Sequence, residues 1–424
     1  MFYFSHIVIG TALLLAALYL QTLKEIPAAK KFSVTFSWLL LLVAIVSVVL
    51  NQLGISNIPA VKWLVLSNQL PFLEFFLSIV LIIALSFASL KNHSVKVFGA
   101  IFVLMACTHF LFATEVLAIK LLANIGGTLA VVLCFRAYDK QESRIFSLYQ
   151  YLGLLLLIAG LCLIKIAHLP EVGTGLVLLS IIVRQGMFPF NSAYTHFLEK
   201  APFSLGFLFG ILHVGTLGFL ITELNTDNSM LAYGFAIGAS ITSLLASLMA
   251  FVQLKGRRSL SYLLLSQSGF IAFVWISTNA RISTDLLLIW YSISIATLGF
   301  AAMLYSVEMR RGHLNLNSGS GNYAHTPKMA LACLLLGFAS VGFPLTLGFS
   351  AIEDLLEQSF LLFPVLSVLC VLALAINSIN VLRLFFLLFT GQRKNTYEPD
   401  LTRGENMAAM FSIAVLFLGA LIQY

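Results

Sequence analysis

The chain has 424 residues, of which 60% are hydrophobic and only 10% charged, with a formal net charge of +7. Soluble domains carry about 25% charged residues, and a soluble fold leaves too much surface wet to hide so many apolar side chains. A soluble domain is therefore excluded. So is a nucleic-acid surface, because the basic residues fall one to three at a time between apolar runs.

With the bilayer as solvent, every backbone polar group needs an internal partner, so the spans are helices or a closed barrel. The apolar runs match the roughly 20 residues of a membrane helix and lack the ~10-residue alternation of barrel strands. An all-α polytopic membrane protein follows. In chain order the predicted spans are 3–22, 32–50, 70–90, 95–108, 111–135, 146–166, 171–189, 203–222, 231–253, 259–277, 284–306, 328–349, 361–390 and 406–423. Segments 191–200 and 350–358 read as second halves of helices broken at Pro189 and Pro344. The first run has no basic flank or small-residue cleavage site, so it reads as a retained span.

Counted over alternate loops, eighteen Lys and Arg fall on one side and three (Lys62, Lys165, Arg281) on the other. The positive-inside rule makes the rich side cytoplasmic and puts both termini outside, as expected for a bacterial inner membrane. Residues 309–327 form the one long polar linker, rich in Gly, Ser and Asn, and read as flexible. Cys107, Cys134, Cys162, Cys333 and Cys370 are scattered through apolar segments and read as small buried hydrophobes. No metal site, nucleotide loop, cofactor or catalytic centre is expected.

Ionisable groups at membrane depth mark function by default. Those within predicted spans are Glu74, Glu115, Lys120, Arg184, His213, Glu353, Asp354 and Arg383. Glu115 and Arg184 suit a buried pair, with a static structural tie as the plain alternative. Glu74, just after Pro71, is expected at the interface, Lys120 is expected to snorkel or to pair elsewhere, and Arg383 is expected to snorkel towards the cytoplasm. His213, the histidine placed near mid-span, is either a satisfied buried side chain or a link in a proton wire. The two proline breaks fall five spans apart, beside Arg184 and before Glu353 and Asp354, which suits two inverted five-helix units.

Three stretches then carry a resemblance. Arg184-Gln-Gly-Met-Phe-Pro-Phe-Asn-Ser-Ala-Tyr194 with Glu199-Lys-Ala-Pro202 resembles the K-x-x-x-x-P-x-H-x-W-L-P-D-A-x-x-E-A-P signature of complex I antiporter-like subunits. Gln253 to Tyr262 with Ser266 to Phe270 resembles their tenth-helix motif, and Gly342 to Phe349 their twelfth-helix break. The chain is thus similar to the antiporter-like subunits of respiratory complex I and Mrp antiporters. The resemblance implies fourteen helices in two inverted repeats, with Glu115 at the fifth-helix glutamate and a central row of charges moving protons or Na⁺. The implied division is 1–94 for helices 1–3, 95–223 and 224–390 for the two repeats, and 391–424 for the last helix.

The sequence also departs from the family. Its seventh-helix lysine is Arg184, which stays protonated and so biases neighbours without relaying a proton. Asn191, Ala193 and His196 replace the motif's His, Trp and Asp, while Ile295, Gly299 and Ile352 stand where later helices carry Lys or His. The stretch GFPLTLGFSAIEDLL (342–356) looks like the DabB branch, which partners a large cytoplasmic zinc protein, DabA, in CO2/bicarbonate uptake. The expected function is an ion-translocating subunit coupled to a partner protein through Glu115, Arg184, His213, Glu353 and Asp354. A lone antiporter and a non-conducting scaffold are the alternatives.

Overall fold

The computed structural model describes residues 3–53, 70–114, 116–221, 224, 229–277, 283–312, 314–316, 319, 321, 323–391 and 397–423. These form sixteen α-helices: α1 (Tyr3–Thr22), α2 (Ile26–Gln52), α3 (Leu70–Ser86), α4 (Val95–Ala113), α5 (Leu117–Tyr138), α6 (Ser143–Lys165), α7 (Pro170–Gln185) and α8 (Asn191–Lys200), followed by α9 (Phe203–Ile221), α10 (Ser229–Val252), α11 (Gly256–Ser277), α12 (Thr284–Arg311), α13 (Pro327–Ser340), α14 (Phe349–Leu362), α15 (Pro364–Phe389) and α16 (Arg403–Gln423). Each predicted span coincides with one helix, except the seventh and twelfth, which are two helices each. Ten of the helices are long and apolar enough to cross a bilayer. The protein is an integral membrane protein with an all-α fold.

Local sequence explains several boundaries. Pro170, Pro327 and Pro364 open α7, α13 and α15, where a missing N–H is harmless and the fixed φ suits a first turn. Ser283 caps α12 by accepting from the Leu286 N–H at 3.1 Å. The fourth and fifth spans part at residues 114–116, not at 109–110, with Thr114 and Val116 both extended.

Two compact units are distinguishable. The first comprises Met1–Arg144 with Ala201–Leu212, and the second Ile145–Lys200 with His213–Tyr424. In the first unit α3 is buried along almost its whole length, packed by α2 and α4, while α4 also packs on α1 and α5. Lys30 reaches from α2 to donate to the Ala88 carbonyl at 2.6 Å. In the second unit α11 is buried throughout, against α10, α12, α14 and α15.

The outer surfaces are apolar, the reverse of a soluble protein. On α6 the exposed positions Ile145, Leu148, Leu152 and Leu155 repeat every three to four residues as one greasy stripe. Such a face is stable only against lipid or another apolar helix.

The basic side of the second unit is more ordered than a flexible linker predicts. Leu316 N donates to Leu254 O at 2.8 Å and Gly256 N to Leu314 O at 3.1 Å, so residues 314–316 are pinned beside the start of α11. Arg257 pairs with Glu308 at 2.8 Å, Arg310 with Glu405 at 2.9 Å, and Arg311 with Glu398 at 2.9 Å. Three of the loop arginines are therefore already neutralised within the chain. Of the cysteines, Cys333 and Cys370 are buried as expected, but Cys107 and Cys134 are half-buried and Cys162 is exposed. Hydropathy places a cysteine in a span without saying which face it takes.

Candidate functional site

A helix that stops inside the membrane leaves its last carbonyls without intrahelical partners. In α7 the stop comes at Gly186, whose left-handed conformation (φ 67°) suits glycine. The amides just past the helix serve two of the freed carbonyls: Gly186 N donates to Val183 O at 3.3 Å and Met187 N to Ile182 O at 2.9 Å. The next carbonyl, that of Arg184, is served by a side chain: Gln150 Nε2, on α6, donates to it at 3.0 Å.

Arg184 itself is wholly buried. Its Nε donates to Gln150 Oε1 at 3.4 Å. Gly153, one turn from Gln150, makes room for its stem: a Cβ there would lie 2.1 Å from Arg184 Cγ. His213, on α9, is also buried. Its ring hydrogen-bonds the Arg184 backbone and lies close enough to feel the guanidinium charge. Beyond the stop, Phe188 N donates to Thr242 Oγ1 of α10 at 3.1 Å, and α8 then runs from Asn191. Gln150, Arg184 and His213 thus form one node at the break, with an imidazole and an amide sharing one carbonyl and a permanent cation held by the same amide.

The second break follows the same plan without charges. Gly342 N donates to Ala339 O at 3.3 Å and Phe343 N to Phe338 O at 3.2 Å. The carbonyl of Ser340, the last residue of α13, accepts from Gln267 Nε2 of α11 at 2.8 Å. Thr297 of α12 donates to Gln267 Oε1 at 2.6 Å. Polar contacts continue through Asn377 of α15, which donates to Ser266 at 2.8 Å, and Ser266, which donates to the Ser243 carbonyl of α10 at 2.7 Å. Among the described residues of α10–α15 none of the buried side chains is a Lys, Arg, His, Asp or Glu; the polar ones are chiefly Ser, Thr, Asn and Gln. Ile295 and Ile352 are buried apolar side chains where the family carries charge.

Of the expected site residues, the structure brings Arg184 and His213 together, and Pro189 and Pro344 lie in the connections α7–α8 and α13–α14. Glu115 lies outside the described residues. Glu353 and Asp354 are exposed. The buried positions of α14 are Ala351, Ile352, Leu355 and Ser359, and with that helical spacing the residues between them face outward. They therefore do not line the interior in this chain. Two further expectations are corrected, those for Glu74 and for the snorkelling of Lys120. Glu74 is buried rather than interfacial, because α3 is enclosed by its neighbours. Lys120 is buried rather than snorkelling. Arg383 is partly buried, its guanidinium over the Phe251 ring at 5.3 Å and donating to Gln253 O at 3.1 Å. Beside His213, His93 and His109 are also buried. Gln150 and Gln267 were missed; the available signal was a strongly polar amide inside an apolar run.

Residues 86–377 match the family described as NADH:quinone oxidoreductase/Mrp antiporter, TM. NADH-quinone oxidoreductase subunit N of Buchnera aphidicola subsp. Acyrthosiphon pisum is 27% identical over 188 residues, covering 42% of this chain and 39% of that one. The match thus spans well under half of that relative. The membrane-bound sulfane sulfur reductase, an archaeal respiratory membrane complex, contains a chain of the same fold, with a TM-score of 0.81, 16% identity, and coverage of 99% of this chain and 94% of that one. The Mrp complex from Dietzia sp. DQ12-45-1b contains another, with a TM-score of 0.79, 14% identity, and coverage of 99% and 94%.

Proposed function

The chain belongs to the NADH:quinone oxidoreductase/Mrp antiporter family, and from that premise we propose that it is a proton-translocating subunit of a multi-subunit complex in a bacterial inner membrane. The observation that carries this is the node at the first break, where the Gln150 amide and a buried imidazole share the carbonyl freed by the end of α7, beside the buried guanidinium of Arg184. Burying such groups is expensive unless they are paired and used. Within the node the imidazole is the group able to exchange a proton, whereas Arg184 keeps its own and acts as a fixed field on whatever proton passes. A proton fits this node better than Na⁺, which would seek oxygen ligands and not a guanidinium.

In this proposal the family's fourteen helices and two inverted repeats are kept, with helices 4–8 and 9–13 as the repeats and the basic loops cytoplasmic. Glu353 and Asp354, which face outward on α14, meet a neighbouring subunit. The stretch 342–356 favours a carbon-uptake complex with a zinc-containing partner, while the relatives described above come from respiratory and Mrp complexes. We place the respiratory or Mrp type first.

A second function is favoured by one observation. The described interior of α10–α15 holds amides and hydroxyls but no fully buried charge, which suits a scaffold that conducts nothing. The two are separated by reconstituting the co-purified complex in vesicles carrying a pH-sensitive dye. With His213→Leu and Arg184→Gln, proton flux is expected to fall at least tenfold while the complex stays assembled. Unchanged flux in both variants would refute translocation through this node and leave the scaffold.

A further inference from the structure

The first unit holds a titratable pair of its own. Glu74, in the first turns of α3, and His109, in the last turns of α4, place Oε1 and Nε2 3.9 Å apart, with both side chains almost wholly buried. The surroundings are mostly apolar: α3 around Glu74 presents Leu70, Leu73, Phe76 and Leu77 to the interior, and α4 around His109 presents Met105 and Leu111, while the buried hydroxyls of Ser78 and Thr108 donate to carbonyls of their own helices at 2.8 and 2.9 Å. Gly10 of α1 lies against the imidazole, since a Cβ there would come within 3.0 Å of His109 Cδ2.

The other charged groups of the packed elements sort by depth. Lys30 of α2 is spent on the Ala88 carbonyl at the far end of α3. Lys96, in the first turn of α4, and Arg136, in the last turn of α5, lie at the helix ends opposite to His109. Among the described residues Lys120 is the one other buried charge at the same end, one turn into α5. The first half of α9 (203–212) contributes no titratable side chain.

We propose that Glu74 and His109 form a proton-binding pair that takes up and returns a single proton within the first unit. A proton from water adds to the imidazole nitrogen, giving an ion pair with the carboxylate. A small change in side-chain torsion then brings the N–H to the carboxylate, and the proton passes from nitrogen to oxygen. What remains is a neutral acid beside a neutral imidazole, with one N–H bond broken and one O–H bond formed. In apolar surroundings the charged and neutral forms of such a pair lie close in energy, because desolvation opposes the charges that Coulomb attraction favours. A fixed ion pair that merely holds α3 to α4 is the structural alternative, and it would not change protonation. This pair lies in the first unit and does not depend on the function proposed for the Arg184 node. It binds protons whether or not the chain moves them.

Infrared difference spectroscopy of the purified full chain, perfused alternately with acidic and alkaline buffer, tests it. The unmodified protein is expected to show a high-frequency carboxylic C=O band that exchanges slowly with deuterium. The band is expected to vanish in Glu74→Gln, to reappear shifted in Glu74→Asp, and to titrate about one pH unit or more away in His109→Gln. A band that survives Glu74→Gln, or no such band in the unmodified protein, overturns the proposal. So does an unmoved midpoint in folded His109→Gln. Proton flux in vesicles is read separately, so a band without flux sinks translocation and leaves the pair standing.

Discussion

Gln150 and Arg184 hold one another twice, the amide nitrogen of Gln150 donating to the Arg184 carbonyl at 3.0 Å and Arg184 Nε donating back to the amide oxygen at 3.4 Å. Glutamine suits this position because one planar group offers both a donor and an acceptor. It closes the end of α7 and orients the guanidinium in a single contact.

Gln150→Leu removes both halves of that exchange and leaves a buried carbonyl and a buried cation poorer by one partner each. Stability is expected to fall by about 2–4 kcal/mol, at roughly 1–3 kcal/mol per unsatisfied buried group. Thermal unfolding in detergent measures it. A loss within about 0.5 kcal/mol would mean that the exchange does not hold the break.

Gly153→Ala sets a methyl group against the Arg184 stem, and overpacking of this kind costs about 1–3 kcal/mol. The penalty should largely disappear when Arg184 is first shortened to alanine, because the clash is with that side chain. A double-mutant cycle reads the coupling, and additive losses would show that Gly153 is needed for something else.

At the second break, Gln267→Leu frees the Ser340 carbonyl and the Thr297 hydroxyl together. It is expected to destabilise by about 2–4 kcal/mol. Thr297→Val, which leaves the Gln267–Ser340 bond intact, should cost about half as much. Equal losses from the two would contradict the order of this small network.

Glu353→Gln with Asp354→Asn alters exposed groups on α14 and should leave the stability of the purified chain within about 0.5 kcal/mol. If that face meets a neighbouring subunit, the same pair of changes should sharply reduce the partners recovered in mild detergent. Full recovery of partners would return these two carboxylates to lipid or water.

Much of the architecture is legible in the residues alone. Sixteen described helices fall where hydropathy put them, and the two interruptions contain Pro189 and Pro344, because a proline denies the helix a donor and clashes with the turn before it. Arg184 and His213 are recognisable as interior groups for the same reason: a charge inside an apolar run is conspicuous without any knowledge of packing.

What the order of residues leaves open is direction. The spans are apolar on nearly all sides, so no polar stripe announces which face turns inward. Glu353 and Asp354 consequently pass for interior groups until α14 is seen to bury Ile352 and Leu355 instead. Glu74 and His109 stand 35 residues apart and become a pair only when α3 packs on α4. Gln150 and Gln267 are polar but uncharged, and their purpose emerges only once a broken helix end is brought against each of them. Chain chemistry thus fixed the solvent, the helices and their breaks. Tertiary packing alone decided which polar groups meet, since meeting depends on helix rotation and neighbours that lie far along the chain.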